Sequence, residues 1–293
     1  MNLPKILVTG ANGQVGSELK ALEAFYPQLR FSFTTRDDLA LEKEDEVENF
    51  FRHDPPQYLI NTAAYTAVDK AESDQEKAFL INTEAVATLA LICKKYKAKF
   101  IHISTDYVFD GNSTSPYTEN SVPNPATVYG SSKFRGEQKA FELNPQTLII
   151  RTSWVYSTFG KNFVKTMLGL MKQKDQLNVV NDQFGSPTYA ADLAEAIMYI
   201  VSNCRNQIEN NPGIYHFSNK GIISWYEFAL AIKQITNSTC HINPITTKEY
   251  PTAAKRPAYS ALDPSRIRKI FGIDLKDWQE SLTRCLSKIK NAP

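Results

Sequence analysis

Short apolar runs alternate along the chain with longer stretches in which apolar residues return every three or four positions. Lys5 to Val8, Phe31 to Thr35, Tyr58 to Asn61, Phe100 to Ser104 and Thr147 to Arg151 have the length and side-chain content of buried strands. Between them the spacing predicts helices: one through Val15, Leu19, Leu22 and Phe25, and others around 44–53, 75–96 and 126–143. The 75–96 segment carries the period best, with Ala78, Ile81, Ala85, Leu89 and Ile92 on one face. Strands joined by helices of this length require right-handed crossovers, which predicts an α/β protein with a doubly wound parallel sheet. Ligands of such sheets gather at the carboxyl ends of the strands. Gly10, Ala63, Thr105 and Trp154 all fall at those ends, so they are expected to share one crevice.

The last third has a different texture. Pro187, Pro212, Pro244, Pro251, Pro257 and Pro264 cut it into short elements, and the strand–helix alternation fades. Two pieces are expected to return to the main sheet, a helix over Ala191–Val201 and a strand over Ile214–Phe217. The division expected is a dinucleotide-binding part, 1–155 and 188–218, and a smaller C-terminal substrate lobe, 156–187 and 219–293. The polar segment Asn203–Asn211 reads as a surface loop.

Composition narrows the class. A chain of 293 residues with 42% hydrophobic content can bury a sizeable core. Its net charge of +2 gives no basic footprint for nucleic acid. No apolar run is long enough to span a bilayer, and the expectation is a soluble, cytoplasmic protein without a membrane partner. Cys93, Cys204, Cys240 and Cys285 are scattered without metal-like pairing and read as reduced thiols.

The first strand runs into Thr9-Gly10-Ala-Asn12-Gly13-Gln14-Val15-Gly16 and then a helix. Gly10 permits a tight turn, Gly13 lets backbone approach a pyrophosphate, and Gly16 allows close packing of helix on strand. The helix start then offers free N–H groups and a positive dipole end to phosphates. Tyr129 and Lys133 stand four residues apart on a predicted helix, hence on one face. An ammonium beside a phenol favours its ionised form and makes it a usable proton donor and acceptor near neutrality. About 25 residues earlier a strand ends on Ser104 and Thr105, whose side chains point to opposite faces.

Together the glycine turn, the Tyr129/Lys133 pair and the hydroxyl pair resemble the extended short-chain dehydrogenase/reductase superfamily, a Rossmann-like group. Within it, 10–16, Asn61-Thr-Ala-Ala-Tyr-Thr-Ala-Val-Asp-Lys-Ala-Glu72, Ser104-Thr-Asp-Tyr-Val-Phe-Asp-Gly111 and Arg151-Thr-Ser-Trp-Val-Tyr156 resemble the dTDP-4-dehydrorhamnose reductase family. Asn181 to Thr188 and Arg256-Pro257 extend the resemblance over nearly the whole chain. It implies reduction of the C4 ketone of a dTDP-linked 6-deoxy sugar by a reduced nicotinamide. Thr105, Tyr129 and Lys133 take the catalytic places. Gly10, Asn12, Gly13, Gln14, Val15, Gly16, Thr35, Arg36, Ala63, Ala64 and Tyr65 take cofactor places. Asp106, Trp154 and Arg256, with Thr105 and Tyr129, take substrate places. Lys133 is expected to lower the pKa of Tyr129 and to bond the nicotinamide ribose, and Arg256 to suit a diphosphate or to sit in a salt bridge.

The second strand ends in Thr34-Thr35-Arg36 rather than on an acid, so NADPH is expected to be preferred, with NADH possible. Asp37 and Asp38 follow closely and are expected to soften that preference. Some family members hold magnesium between subunits; Glu18 stands in one ligand's place, but Ala191 occupies another, so no metal site is expected. The choice between monomer and homodimer stays open. Rival readings are an epimerase or dehydratase on the same scaffold, which the Tyr107 following Asp106 disfavours, and a non-catalytic dinucleotide-binding regulatory subunit.

Overall fold

The protein is described by a computed structural model over residues 3–291. In its first half β1 (Lys5–Thr9), α1 (Gln14–Leu22), β2 (Arg30–Thr34), α2 (Glu44–His53) and β3 (Tyr58–Asn61) follow in turn. Then come α3 (Val68–Ala71), α4 (Gln75–Phe79), α5 (Ala85–Lys95), β4 (Lys99–Thr105), α6 (Val128–Leu143) and β5 (Leu148–Thr152). The main sheet has the order β10-β5-β4-β3-β1-β2, where β10 is Gly213–Phe217, and every pairing is parallel. The order reverses between β1 and β3, which opens a crevice at the carboxyl ends of the strands.

Both faces of the sheet are covered, so its strands are apolar at successive positions rather than at alternate ones. Ile6 and Val8 face α1 and α8 (Ala190–Asn203), joining Val15, Leu19, Leu193 and Ile197. Leu7, between them, faces the other way, into Val47, Phe51, Val86, Leu89 and Ile92 of α2 and α5. Each such side chain contributes roughly 1.5–3 kcal/mol when fully buried. The expected return of a helix and a strand to this sheet is found in α8 and β10.

Two sequence expectations are corrected. The segment 75–96 is not one α-helix: a single π turn, Leu80–Glu84, separates α4 from α5. Asn82 and Thr83 are buried there among polar partners, and the wider turn lets them face inward. Asn203–Asn211 is not simply a loop, since α9 (Arg205–Asn210) forms inside it. Ile208, one turn beyond Cys204, joins the core with it, and that burial outweighs the polar composition. Helix α6 begins at Val128 because Thr127 is its N-cap, its hydroxyl accepting from Gly130 N at 3.0 Å.

The remaining elements are short. β6 (Val155–Tyr156) pairs with β9 (Thr188–Tyr189), β7 (Gln176–Val180) with β12 (His241–Ile245), and β8 (Phe184–Gly185) with β11 (Ile223–Ser224). Helices α7 (Phe163–Gln173), α10 (Trp225–Thr236), α11 (Ser265–Phe271) and α12 (Trp278–Lys290) accompany them. Val164, Met167, Phe228, Ile232, Trp278 and Leu282 form a second core beside β7 and β12.

Candidate active site

A cleft of about 940 Å3 runs along the carboxyl ends of the strands. Gly10, Asn12, Gly13, Gln14, Val15, Thr35, Arg36, Ala63, Ala64, Tyr65, Thr105, Asp106, Tyr129, Lys133 and Trp154 all line it. Two of the residues singled out in the sequence do not. Gly16 lies behind the turn, and Arg256 is ion-paired with Asp69 of α3, which leaves its Nη1 buried and unpartnered.

The turn after β1 has a physical reason for its glycines. Gly10 has φ +75°, and a Cβ there would lie 2.6 Å from Ala63 N. A Cβ on Gly16 would lie 2.3 Å from Gly10 O, so α1 approaches the turn only because that position is bare. The small Ala63 and Ala64 complete a groove of exposed backbone, which fits the pyrophosphate of a dinucleotide. Gln14 also ties the turn to β6 and the start of α7: its Nε2 donates to Val155 O at 3.3 Å, and its Oε1 accepts from Asn162 Nδ2 at 2.9 Å.

At the end of β2, Arg36 donates to Glu42 Oε1 at 2.6 Å, and Glu42 lines the cleft beside it. Thr35 donates both its N–H and its hydroxyl to Asp38 Oδ2, at 2.8 and 2.7 Å. The carboxylates near this corner are therefore engaged with the residues expected to meet a 2′-phosphate. Glu42, six residues beyond Arg36, was missed in the sequence because nothing local marks a side chain that folds back over a turn.

Thr105 ends β4, and its hydroxyl donates to Asp106 Oδ1 at 3.0 Å and accepts from Tyr107 N at 3.2 Å. Burial pushes the Asp106 carboxyl up to about 6, against the pull of the Thr105 hydroxyl. Tyr129 projects from the first turn of α6, its ring edge-on to Tyr107 with centroids 5.5 Å apart. Burial pushes its phenol up to about 12, and a hydrogen bond with the Thr105 side chain opposes the rise. Ser104 Oγ is buried without a partner.

The expected depression of the phenol by Lys133 is absent from this arrangement. Lys133 Nζ donates to Ile103 O at 2.6 Å and lies 3.1 Å from His102 Nε2. Burial brings the amine itself down to about 8, with the charge of Glu137 opposing. His102 is a site residue that sequence reasoning passed over, although it stands two positions before Ser104 on the same strand.

Trp154 has φ +48° and stacks on Trp225, with ring centroids 3.5 Å apart and planes 9° from parallel. Both indoles line the cleft. Trp225 opens α10, whose start is set by a capping box between Ser224 and Glu227. That box was a local signal; the 71 positions between the two indoles hid their pairing.

Among the described residues no three His, Cys, Asp or Glu side chains are grouped to share a metal ion. Glu18 is buried and accepts from Ser157 Oγ at 2.6 Å; burial raises its carboxyl, and the Ser157 bond opposes. No described helix is long and apolar enough to cross a membrane.

Comparison with known proteins gives a consistent picture. The RmlD substrate binding domain family matches residues 4–291. A dTDP-4-dehydrorhamnose reductase of Aggregatibacter actinomycetemcomitans is 40% identical over 289 residues, 96% of this chain and 97% of that protein. The spore coat polysaccharide biosynthesis protein SpsK of Bacillus subtilis is 42% identical, over 99% of each chain. The crystal structure of a Bacillus anthracis dTDP-4-dehydrorhamnose reductase in complex with NADP superimposes with a TM-score of 0.92. It is 36% identical and covers 98% of this chain and 100% of that one.

Proposed function

The chain belongs to the RmlD substrate binding domain family, and on that premise we propose that it reduces the C4 ketone of dTDP-4-dehydro-L-rhamnose to dTDP-L-rhamnose. The reductant is NADPH, with NADH accepted less well, and the product serves polysaccharide synthesis in the cytoplasm. The observation that carries this reading is the meeting of the Gly10 turn, Thr105, Tyr129 and Lys133 in one cleft.

When bound, the reduced nicotinamide supplies the hydride that reaches the carbonyl carbon. The carbon–oxygen π pair then moves onto oxygen, and a donor must already stand there. Tyr129 Oη gives that oxygen its proton, forming the alcohol and leaving a phenolate. The Thr105 hydroxyl fixes the direction of the phenol. Lys133, as an ammonium, stabilises the phenolate and bonds the ribose hydroxyls. The bare backbone at Gly10, Gly13 and Ala63 receives the pyrophosphate. Arg36 and Thr35 present a cation and a hydroxyl to a 2′-phosphate, which supports NADPH over NADH.

In this reading 1–155 and 188–218 hold the dinucleotide, and 156–187 and 219–293 hold the sugar nucleotide. The stacked indoles of Trp154 and Trp225 offer an apolar wall to the thymine or the sugar. Asp106 accepts from a sugar hydroxyl. Arg256 would serve the diphosphate by exchanging Asp69 for it.

The test is consumption of NADPH with dTDP-4-dehydro-L-rhamnose and identification of the product. Tyr129→Phe should keep dinucleotide binding and lose roughly a hundredfold or more in kcat. Binding of NADPH by the unaltered protein without any turnover of the keto sugar would overturn the assignment.

A further inference from the structure

Behind the cleft a line of buried polar groups crosses three adjacent strands. Thr9 of β1 is the register partner of Asn61 of β3, and Asn61 is the partner of His102 of β4. Their side chains are joined in the same order: Thr9 Oγ1 donates to Asn61 Oδ1 at 2.7 Å, and Asn61 Nδ2 lies 3.0 Å from His102 Nδ1. His102 Nε2 lies 3.1 Å from Lys133 Nζ. Asn61, His102 and Lys133 are all buried.

Counting donors settles the protonation along this line. Ala63 N–H donates to Asn61 Oδ1 at 3.1 Å, and a backbone N–H has no other role, so that end of the amide is oxygen. The other end is therefore NH2 and donates to His102 Nδ1, which must carry a lone pair. A neutral imidazole then has its proton on Nε2, pointing at Lys133. The imidazole stays neutral, since burial holds His102 well below its usual range. An ammonium facing that N–H would set donor against donor. A neutral amine can accept from Nε2–H while donating to Ile103 O at 2.6 Å.

We propose that His102 is a positioning residue that gives Lys133 two settings: a neutral amine held against Nε2–H, and an ammonium that leaves this contact for the cleft. The two settings interconvert by uptake of one proton from solvent onto Nζ, so dinucleotide binding, which uses the ammonium, takes up a proton. Burial, which brings the Lys133 amine down to about 8, makes both settings accessible near neutrality. Tyr129 and Glu137 share the helix of Lys133, the charge of Glu137 acts on its amine, and Asp106 at the end of β4 lines the same cleft. Glu137 is engaged by Arg151 of β5, so His102 is the neighbour that sets the amine's hydrogen bonding. The role of the ammonium rests on the reading of Tyr129 and Lys133 in the proposed function.

Proton uptake on adding NADP+ in weakly buffered solution near pH 8.5 tests this without any sugar substrate. The unaltered protein should take up roughly half to one proton per bound dinucleotide, and dinucleotide affinity should fall as pH rises above about 8. His102→Gln offers a carbonyl oxygen that can accept from both Asn61 and an ammonium, so its uptake should shrink towards zero and its affinity should hold to higher pH. Absence of uptake by the unaltered protein with binding confirmed, or equal uptake by His102→Gln, would overturn the proposal. Nitrogen NMR of labelled histidine, which needs no variant, should find His102 protonated on Nε2 alone, and the opposite tautomer would also overturn it. Neither readout involves a keto sugar, so failure of the substrate assignment would be seen separately.

Discussion

At the scale of single residues, the cleft is governed by what its polar groups are already bonded to. Tyr129 is a poor acid in this arrangement because burial dominates and the amine one turn away is turned towards His102. Sequence spacing could place Tyr129 and Lys133 on one face but not choose between two partners for the amine. The glycine turn is the opposite case, since backbone geometry alone dictates it. Gly10→Ala would force a positive φ on a residue with a Cβ and push that atom into Ala63 N. Dinucleotide affinity is expected to fall roughly tenfold or more, about 1.4 kcal/mol, by fluorescence titration. An alanine variant that binds as tightly as the parent would show that the turn does not shape the site.

Among the elements, α6 matters most because it carries both Tyr129 and Lys133. Two features press it into place. The π turn at Leu80–Glu84 brings Asn82 Nδ2 to Ser132 Oγ at 3.0 Å and Thr83 Oγ1 to Ser132 O at 2.8 Å, and the missing Cβ of Gly136 lets the backbones meet. On the sheet side Glu137 accepts from Arg151 Nε at 2.9 Å and Nη2 at 2.6 Å in a fully buried, two-point ion pair. Removing one charge of such a pair leaves the other stranded. Glu137→Gln is therefore expected to lower unfolding free energy by about 3 kcal/mol or more in urea titrations. A change under about 1 kcal/mol would mean that Arg151 finds another partner. The helix itself was legible from apolar spacing, whereas the π turn was not: it depends on Asn82 and Thr83 meeting a helix about 50 positions away.

Across the whole molecule, the second core is bound to the main sheet through Asp192 of α8. Its carboxylate accepts from Asn219 Nδ2 at 2.9 Å and Ser281 Oγ at 2.5 Å, and pairs with Lys276 and Arg284 at 3.1 and 2.5 Å. Burial alone would raise this carboxyl; the hydrogen bonds from Ser281 and Asn219 and the charges of Lys276 and Arg284 outweigh it and hold it low. A carboxyl lower in the folded than in the unfolded chain contributes stability above its unfolded value near 3.8, lost as pH falls through the folded one. Asp192→Asn should lower Tm clearly at pH 7, and the gap to the parent should close in acid. A gap that is the same at pH 7 and at pH 3 would show that the charge is not what joins the two parts.

What the amino-acid order determined by itself was whatever short-range periodicity encodes. That covers the strand–helix alternation, the glycine turn before α1, the four-residue step from Tyr129 to Lys133 and the hydroxyls closing β4. Each depends on residues a few positions apart, and backbone sterics translate such spacing directly into shape. Only the tertiary structure decided the pairings that make the cleft specific: Asn61 with His102, His102 with Lys133, Trp154 with Trp225, Arg256 with Asp69. These partners come from different elements, tens of residues or more apart in the chain. They meet because parallel register and lobe packing set them side by side, and no local pattern records a contact made across tens of residues.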